Sequence, residues 1–585
     1  MRRWRRKSSL GEIIARVMGK ESDGVQYQAA AIQYDCRFME KEYNLECLSQ
    51  LVRQAANQGA KLIVLPEMCA TGYYFNSMEQ ADRMAEEVPG GKTTAWFTAL
   101  AKELDCYIVA GLPEVEDGKL YNTAILTGPT GYIGRHRKMH HFVPDSTWAK
   151  TGDHPIEVFD TPLGKIAIQI CMDVSYPETV RIAKLLGAQV LCVPMNWCEE
   201  VMPSSIWITR SRENGLYLVA SNRAGMEKGH AFTGASAIVA PDGHVISCLP
   251  DGDGIVMGTI DLAFQPDMEE LPERRPALYR SLQLQRYPWC QNNYYQNFAT
   301  PPIPSGDRRK VAVVQKKPGT RDENVNEIKR EIAHAAQQGI SLLVLPELFL
   351  DGVPASETEA RKNALKPESE LICALSNLAR QQNVDVIVGL ILEEENVLYN
   401  AAACLLASGE ICFYKKTHLT QSDRMWAQAG EEAGFFVDLP YARVGVLLGA
   451  ESMVTELPRI LANYGCDIVA IPSAAKHCCA SYPGSANEES HWHIARVRAN
   501  ENNTYMAFAG QEGVSGIFGP DMFLSPRNEA LLFHEGTVEL IVDTNLILQD
   551  PQSQEYVINV VREKPMMATR HIVWYDQLIQ TKSGD

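Results

Sequence analysis

Residues 164–173 have the sequence GKIAIQICMD, and this stretch organises the first half of the chain. A glycine precedes an apolar run rich in β-branched side chains, which is typical of a buried strand. Cys171 comes at the end of that strand, before a helix that starts near Tyr176-Pro177-Glu178, and open α/β sheets place reactive groups at such strand ends. A single cysteine in an apolar setting is more often a structural core residue. The stretch alone therefore predicts a buried strand and leaves the role of Cys171 open.

Two other predicted strands end in a charged side chain. Residues 61–67, KLIVLPE, form an apolar strand that ends in a proline and Glu67. Residues 132–140, YIGRHRKMH, form a strand-like segment whose end carries Lys138 among basic neighbours. Alone, Glu67 would be an acid near a helix N-terminus and Lys138 part of a solvated basic face. Three strand ends that carry Glu, Lys and Cys in this order instead predict one shared catalytic site.

With these motifs the sequence resembles the nitrilase superfamily of carbon–nitrogen hydrolases. The resemblance extends to further residues of the first half: Tyr176-Pro177-Glu178, Arg212-Glu213-Asn214 with Tyr217, and Arg274-Arg275-Pro276 with Tyr279. Order and spacing agree over the whole first half, so the set is highly specific. The resemblance implies an α/β fold built of α-β-β-α sandwich domains, with Glu67, Lys138 and Cys171 as the catalytic residues.

The order of strands, helices and motifs in the first half recurs in the second half of the chain. Strands and helices alternate at 29–33, 44–56, 61–65, 93–104 and 106–111, which is typical of a layered α/β architecture. A spacing of 278 residues separates three matching pairs: Tyr121 and Tyr399, Lys138 and Lys416, and Pro162 and Pro440. Such a constant offset indicates a duplicated domain. Between the copies, proline and small residues near 299–306 predict a stiff linker.

The second copy keeps only part of the predicted catalytic set. Glu347 matches Glu67 and Lys416 matches Lys138, but the offset carries Cys171 onto Gly449. Without the sulfur, this half is expected to be unable to form a thioester. We therefore predict a basic N-terminal extension at 1–25, a catalytic domain at 26–298, a linker at 299–308, and a pseudoenzyme domain with a C-terminal tail at 309–585. A structural role is favoured for the second domain, with ligand binding as the alternative.

Bulk properties exclude several other classes of function. At 585 residues the chain is too long for a single core, and its net charge of −17 argues against general nucleic-acid binding. No apolar run reaches the length of a membrane span. The 15 cysteines lack the spacing of a zinc framework or a disulfide scaffold, which predicts a reduced, cytoplasmic protein. We expect no metal and no cofactor. The basic N-terminus predicts a loosely docked helix, with a membrane-surface or partner contact as the alternative.

Cysteine, glutamate and lysine have different roles in amide hydrolysis. A thiolate at Cys171 supplies the nucleophile if a cation such as Lys138 lowers its pKa. Glu67 can take the thiol proton, pass it to the departing amine and then activate water. Lys138 and the backbone N–H of Met172 can hold the oxygen of the tetrahedral intermediate. The resemblance implies the same roles, and it adds a second glutamate whose place is here taken by Asp145, one methylene shorter.

Residues around the cysteine favour an amide or an N-carbamoyl amide over a nitrile. Nitrile-specific family members typically have Trp-Glu after the nucleophile, whereas amidases more often have an aspartate two residues on, as Asp173 here, and a later Pro-Glu. Tyr73, Asn196 and Trp197 lie at strand ends and are candidates for the substrate pocket, with ordinary packing as the alternative. The leading hypothesis is a cysteine-dependent hydrolase that cleaves a linear, non-peptide amide or an N-carbamoyl amide through a thioester, active in the first domain only. The alternatives are a nitrilase, an amine-dependent acyltransferase, or a non-catalytic scaffold or sensor.

Family members commonly pair two sandwich units. The resemblance therefore implies an intramolecular pseudo-dimer, in which the linker supplies a high effective concentration of one unit for the other. Residues 274–276 with Tyr279, and Arg562 with Pro565, resemble tails that cross such interfaces. Further association into a homo-oligomer through domain and tail contacts stays open.

Overall fold

The computed structural model describes residues 25–198, 203–266, 271–284, 303–475, 478–481, 491–520, 527–549 and 557–580. The predicted N-terminal extension, apart from Val25, and the predicted linker up to residue 302 lie outside this part of the chain. Among the helices that the structure describes, none is both long enough and apolar enough to cross a membrane.

Within its described residues, the first half contains two six-stranded sheets and five α-helices. Its strands are β1 (Gln26–Gln33), β2 (Ala60–Val64), β3 (Tyr107–Glu116), β4 (Lys119–Gly128), β5 (Gly131–Arg137), β6 (Val158–Thr161), β7 (Gly164–Ile168), β8 (Val190–Pro194), β9 (Tyr217–Ser221), β10 (Ala224–Glu227), β11 (His230–Thr233), β12 (Ser236–Val239), β13 (Val245–Leu249) and β14 (Gly254–Asp261). Its helices are α1 (Lys41–Asn57), α2 (Met78–Met84), α3 (Lys92–Leu104), α4 (Pro177–Leu185) and α5 (Ser205–Asn214). The sheets have the strand orders β14-β1-β2-β3-β4-β5 and β13-β12-β9-β8-β7-β6, while β10 and β11 form a separate hairpin.

Alternation of side chains along β1 explains the layers of this half. Ala29 and Ala31 share a core cluster with Ile166 and Ile168 of β7, on the facing sheet. Ala30 and Ile32 share a different cluster, with Leu45 and Phe97 among others, from α1 and α3. Because successive strand residues point to opposite faces, β1 is buried on both sides, as expected for the parallel centre of a sheet. Helices α4 and α5 cover the outer face of the second sheet, so the half is an α-β-β-α sandwich.

The second half repeats this architecture. Its strands are β15 (Arg308–Gln315), β16 (Ile340–Val344), β17 (Asp385–Glu394), β18 (Val397–Leu405), β19 (Ile411–Lys415), β20 (Phe436–Leu439), β21 (Ala442–Val446), β22 (Ile468–Ser473), β23 (Cys479–Ser481), β24 (His491–His493), β25 (Tyr505–Gly510), β26 (Ser515–Phe518), β27 (Glu529–Leu532), β28 (Gly536–Asp543), β29 (Ile547–Gln549) and β30 (Val557–Asn559). Its helices are α6 (Arg321–Gln338), α7 (Glu357–Asn363), α8 (Glu370–Gln382), α9 (Glu456–Asn463), α10 (Ile494–Asn502), α11 (Val560–Glu563), α12 (Pro565–Ala568) and α13 (Asp576–Ile579). Two sheets, β19-β18-β17-β16-β15-β28 and β20-β21-β22-β25-β26-β27, have the same order as their counterparts in the first half. The predicted tandem α/β sandwich is confirmed.

The two halves meet through their helices, and a buried ion network joins them. Arg210 of α5 is paired with Glu501 of α10, and Arg498 of α10 with Glu213 of α5. Each arginine also pairs within its own helix, Arg210 with Glu213 at 2.7 Å and Arg498 with Glu501 at 2.6 Å. All four side chains are buried. The predicted intramolecular pseudo-dimer is therefore present, with a closed ring of two cations and two anions in its interface.

The segment after the first sandwich crosses this interface within the chain. Arg274 Nε lies 2.7 Å from Glu456 Oε1 of the second half, and the hydroxyl of Tyr279 lies 2.7 Å from His418 Nε2. Arg562, expected to take part in the same way, instead pairs with Asp467 of its own half at 3.2 Å. The C-terminal segment crosses further on, where Arg570 Nε donates to Glu178 Oε1 at 2.8 Å.

Neutralising one member of the buried ring should lower the free energy of unfolding of the whole protein. Glu501→Gln removes an anion that accepts from both Arg210 and Arg498, so two buried guanidinium groups are left to share Glu213. Breaking a buried ion pair in this way typically costs about 3–5 kcal/mol. We expect a clear fall in the denaturant midpoint of unfolding.

The matched control is Glu103→Gln, which breaks an exposed pair with Arg53. Solvent already screens that pair, so its loss should hardly move the midpoint. Equal shifts for the two variants would show that the ring contributes nothing to the interface.

Candidate active site

Three strand ends bring the predicted catalytic residues together. Glu67 follows β2, Lys138 follows β5 directly, and Cys171 opens a 3₁₀ turn, Cys171–Ser175, after β7. Lys138 Nζ lies 2.7 Å from Glu67 Oε1, and both side chains are fully buried. Glu67 Oε2, by contrast, has no hydrogen-bond partner among the described residues. The ends of strands in two facing sheets thus bring a carboxylate, an ammonium group and a thiol to one buried site.

Asp145 reaches the same lysine despite its shorter side chain. Its Oδ2 lies 2.6 Å from Lys138 Nζ, and the hydroxyl of Tyr73 donates to the same oxygen at 3.0 Å. Asn122 Nδ2 donates to Glu67 Oε1 at 2.6 Å and to Asp145 Oδ1 at 2.9 Å. The 3₁₀ turn Asp145–Thr147 carries Asp145 close enough to offset the missing methylene. Lys138 is therefore clamped between two carboxylates that one amide holds in place.

The backbone of the nucleophile is held in an unusual conformation. Cys171 has φ of +43°, in the left-handed region that L-residues adopt at a cost of about 1–3 kcal/mol. Asp173 supports this turn, because its carboxylate accepts from the N–H groups of Ile170 at 3.1 Å and His140 at 2.8 Å. Arg210 Nε donates to the Val174 carbonyl at 2.7 Å. The interface arginine thus also fixes the turn that presents the thiol.

Burial and neighbouring charges set the protonation states of the site. Burial lowers the pKa of Lys138, but Asp145 and Glu67 raise it by more, so the lysine stays cationic. Burial raises the pKa of Glu67 above its ordinary value of 4.5, and Lys138 partly opposes that rise. The pKa of the Cys171 thiol is well above its ordinary value of 9.0, first because of burial and then because of Glu67. Lys138 and the Asn196 backbone lower it by less.

The sequence analysis required that a cation such as Lys138 lower the pKa of Cys171, and in the structure the lowering by Lys138 is smaller than the rise caused by burial and Glu67. The positive charge of Lys138 is already compensated by two carboxylates, so little of it is available to stabilise a second anion nearby. Burial and Glu67 therefore favour the protonated thiol over the thiolate.

The amino-acid sequence was compared with those of known protein families. The sequence pattern of the family described as "Carbon-nitrogen hydrolase" matches residues 28–265 and 310–544, one stretch in each sandwich. The chain belongs to the carbon–nitrogen hydrolase family.

Several relatives are similar to less than half of this carbon–nitrogen hydrolase. A "Nitrilase" of Pyrococcus abyssi is 36% identical over 220 residues, which are 38% of this chain and 84% of that protein. "Omega-amidase NIT2" of Xenopus tropicalis is 32% identical over 254 residues, 40% of this chain and 89% of that protein. Among solved structures, an amidase from Nesterenkonia sp. is 25% identical with a TM-score of 0.38, covering 43% of this chain and 95% of that one.

The second hydrolase unit keeps the ionic frame but lacks the nucleophile. Lys416 Nζ lies 2.7 Å from Glu347 Oε1 and 2.8 Å from Asp423 Oδ2, and Asn400 donates to both carboxylates. Gly449 occupies the position of the cysteine with φ of +45°. A Cβ atom there would lie 2.3 Å from Glu347 Oε2, which accepts from the Ala474 N–H at 2.9 Å. The carboxylate of the second unit has thus taken space next to the missing side chain.

The other predicted pocket residues have mixed positions. Tyr73 is buried against the catalytic cluster through its bond to Asp145. Asn196 is also buried, and its Nδ2 donates to the backbone carbonyl of Glu67 at 2.8 Å, so it supports the base. Trp197 is half-buried, with its ring 5.8 Å from that of Trp207. Met172 is half-buried in the nucleophile turn, and its role as an oxyanion donor stays a prediction.

Sequence reasoning missed two residues of the site, Asn122 and Gly111, and used a third, Asp173, only as an indication of the substrate class. Asn122 lies in the repeated Tyr-Asn pair, and its occurrence at the same offset in both halves was the available signal. Asp173 serves the turn rather than the substrate. Gly111 has no side chain because a Cβ atom there would lie 2.7 Å from the Glu67 Cα and 2.6 Å from the Met68 nitrogen. No local pattern shows such a close approach of two strands.

A side chain at position 449 should be poorly tolerated. Gly449→Ala adds both left-handed strain and a collision with Glu347 Oε2, so it should cost about 1–3 kcal/mol more than strain alone. The control is Gly339→Ala, at φ of +69° with no atom within 4 Å of the new Cβ. Denaturant unfolding of the two variants measures the difference. Equal destabilisation would mean that Glu347 moves aside freely.

Proposed function

We propose that the first half hydrolyses a small, linear amide through a thioester on Cys171. One observation carries this proposal. The unpartnered oxygen Oε2 of Glu67 is the one basic atom of the cluster that Lys138 and Asn122 leave uncommitted, since both bind Oε1. A carboxylate with one oxygen anchored and one free is suited to shuttle a proton beside a protonated thiol.

The proposed reaction has two stages, and every proton that is released in a stage is taken up again in that stage. In the first, Cys171 Sγ attacks the amide carbon while Glu67 accepts the thiol proton and returns it to the leaving amine as the C–N bond breaks. In the second, water attacks the thioester, Glu67 accepts a proton from that water, and the proton returns to sulfur as the C–S bond breaks. Lys138 stays cationic throughout and, with the Met172 N–H, stabilises the oxyanion of each tetrahedral intermediate. Asp145 and Asn122 fix the positions of the Lys138 and Glu67 side chains.

Activity is assigned to the first half alone because Gly449 offers no atom that can form an acyl bond. An amide substrate is favoured over a nitrile by the similarity to proteins named omega-amidase, although a relative named nitrilase matches as well. Asp173 no longer supports this preference, since its carboxylate is committed to the backbone of the nucleophile turn. An amine-dependent acyl transfer would use the same residues and differs only in what resolves the thioester.

Trapping the acyl-enzyme tests the proposal. The chain is exposed to a panel of short primary amides, ureido acids and nitriles, quenched in acid and analysed by intact and peptide mass spectrometry. We expect one acyl group on the peptide that contains Cys171, together with release of ammonia and the free acid. An amide adduct in preference to a nitrile adduct supports the substrate class.

Two variants control this experiment. Cys171→Ala should abolish the adduct and the ammonia, whereas Cys192→Ala, at another buried cysteine on β8, should retain both. An adduct that persists in Cys171→Ala, or that maps to the second half, contradicts the assignment. Turnover that requires an added amine would favour acyl transfer.

The pH dependence of turnover should show the raised pKa of Glu67. Its carboxylate must be unprotonated to act as the base, so activity falls as the pH drops through that pKa. Because burial holds the pKa above 4.5, the acid limb of kcat/KM should lie above pH 4.5. Far-UV circular dichroism at each pH checks that the fold persists. An acid limb at or below pH 4.5 in the folded protein would rule out this state of Glu67.

A further inference from the structure

The second half contains a cavity where the first half has its catalytic residues. Its volume is about 420 Å³, within the range of about 300–1,000 Å³ that is common for small-molecule sites. Glu347, Lys416 and Asp423 line it, together with the small or apolar side chains of Val353 and Ala475. A unit without a nucleophile has therefore kept a chamber of ligand size.

At two places that line this chamber, the second half carries smaller side chains than the first half does. Val353 follows Gly352 where Tyr73 follows Gly72, so a small side chain stands in place of an aromatic ring. At the offset of 278 residues, Ala474-Ala475 replaces Asn196-Trp197. The lining residue Val353 is 50% exposed, so the cavity is open to solvent and a ligand can enter it.

The buried charges of the cavity point the same way. Glu347, Lys416 and Asp423 are each at least nine-tenths buried, and their ion pairs match those of the catalytic half to within about 0.2 Å. Apolar side chains of similar volume often stabilise a fold as well as or better than a buried ion pair does. Loss of one member would leave an uncompensated buried charge, so stability helps to keep the cluster. The same three groups also line the cavity, where they can recognise a polar ligand.

The free hydrogen-bonding positions define the chemistry of that ligand. Lys416 has three N–H donors, and its hydrogen bonds within the described residues go to Glu347 and Asp423, which leaves one donor. Glu347 Oε2 accepts only the Ala474 N–H there and can accept a second bond. A donor and an acceptor side by side match the C=O and N–H of a carboxamide. The cluster has one more carboxylate than ammonium, which disfavours an anionic ligand.

We propose that the cavity of the second half binds a small neutral carboxamide without hydrolysing it. The proposal rests on the proposed function only in that the ligand shares the chemical class of the substrate. The second half would then be a binding module joined to the catalytic half, since Gly449 leaves a bound carbonyl carbon with nothing to attack it.

Counting bound ligand tests this site. Equilibrium dialysis with radiolabelled propionamide is performed on the full-length Cys171→Ala chain, which cannot turn the amide over. We expect two molecules bound per chain at saturation, one in each half. Adding Val353→Arg should reduce this number to one, because a tethered guanidinium at the mouth can pair with Glu347 or Asp423 and fill the cavity. Val353 is 50% exposed, so the change should leave the fold intact.

The matched control is Ile541→Arg on β28, at a side chain that is 47% exposed in the same half and does not line the cavity. This variant should bind as many molecules as its parent. Unchanged binding in Val353→Arg overturns the proposal, as does equal competition by propionate at the Val353-dependent site. If the proposed hydrolysis fails but Val353→Arg still removes one bound molecule, the binding site stands and only the catalytic proposal falls.

Discussion

The structure depends on a buried lysine held between two carboxylates, present once in each half. Lys138 and Lys416 each join an acid from a central strand to an aspartate in a 3₁₀ turn, and an asparagine braces both acids. Charges in such a place are tolerated only when they are paired and hydrogen-bonded. The pairing holds the lysine cationic, and it leaves little positive charge for the neighbouring thiol. Burial and Glu67 raise the pKa of that thiol, which favours the proposed transfer of its proton during attack.

Residues of the interface between the halves also make hydrogen bonds to the turn that carries Cys171. Arg210 holds the turn of the nucleophile through the Val174 carbonyl and pairs across the interface with Glu501. Arg498 does the same in the second half, through the Ser452 carbonyl and Glu213. The second sandwich therefore supplies a permanent anion to the helix that supports the catalytic turn. Covalent linkage of the halves makes this support independent of protein concentration.

The second half has glycine in place of the cysteine, but the rest of the site is largely kept. Gly449 retains the left-handed backbone that Cys171 adopts under strain, and glycine adopts it at no steric cost. Glu347 remains tied to Lys416 at the same distance as its catalytic counterpart. The second unit thus has no sulfur at the position of Cys171, while it keeps the lysine paired with two carboxylates.

The sequence by itself determined the tandem α/β architecture and the three strand ends that carry Glu67, Lys138 and Cys171. Both follow from local pattern: apolar strands ending in charged residues, and a constant offset between copies. The roles of Asn122, Gly111 and Arg210 came only from the tertiary structure, because each depends on a neighbour distant in the chain. The protonation state of Cys171 was likewise decided by tertiary structure. Whether a cation lowers a thiol pKa depends on how deeply both are buried and which anions already surround that cation, and residue order does not show either.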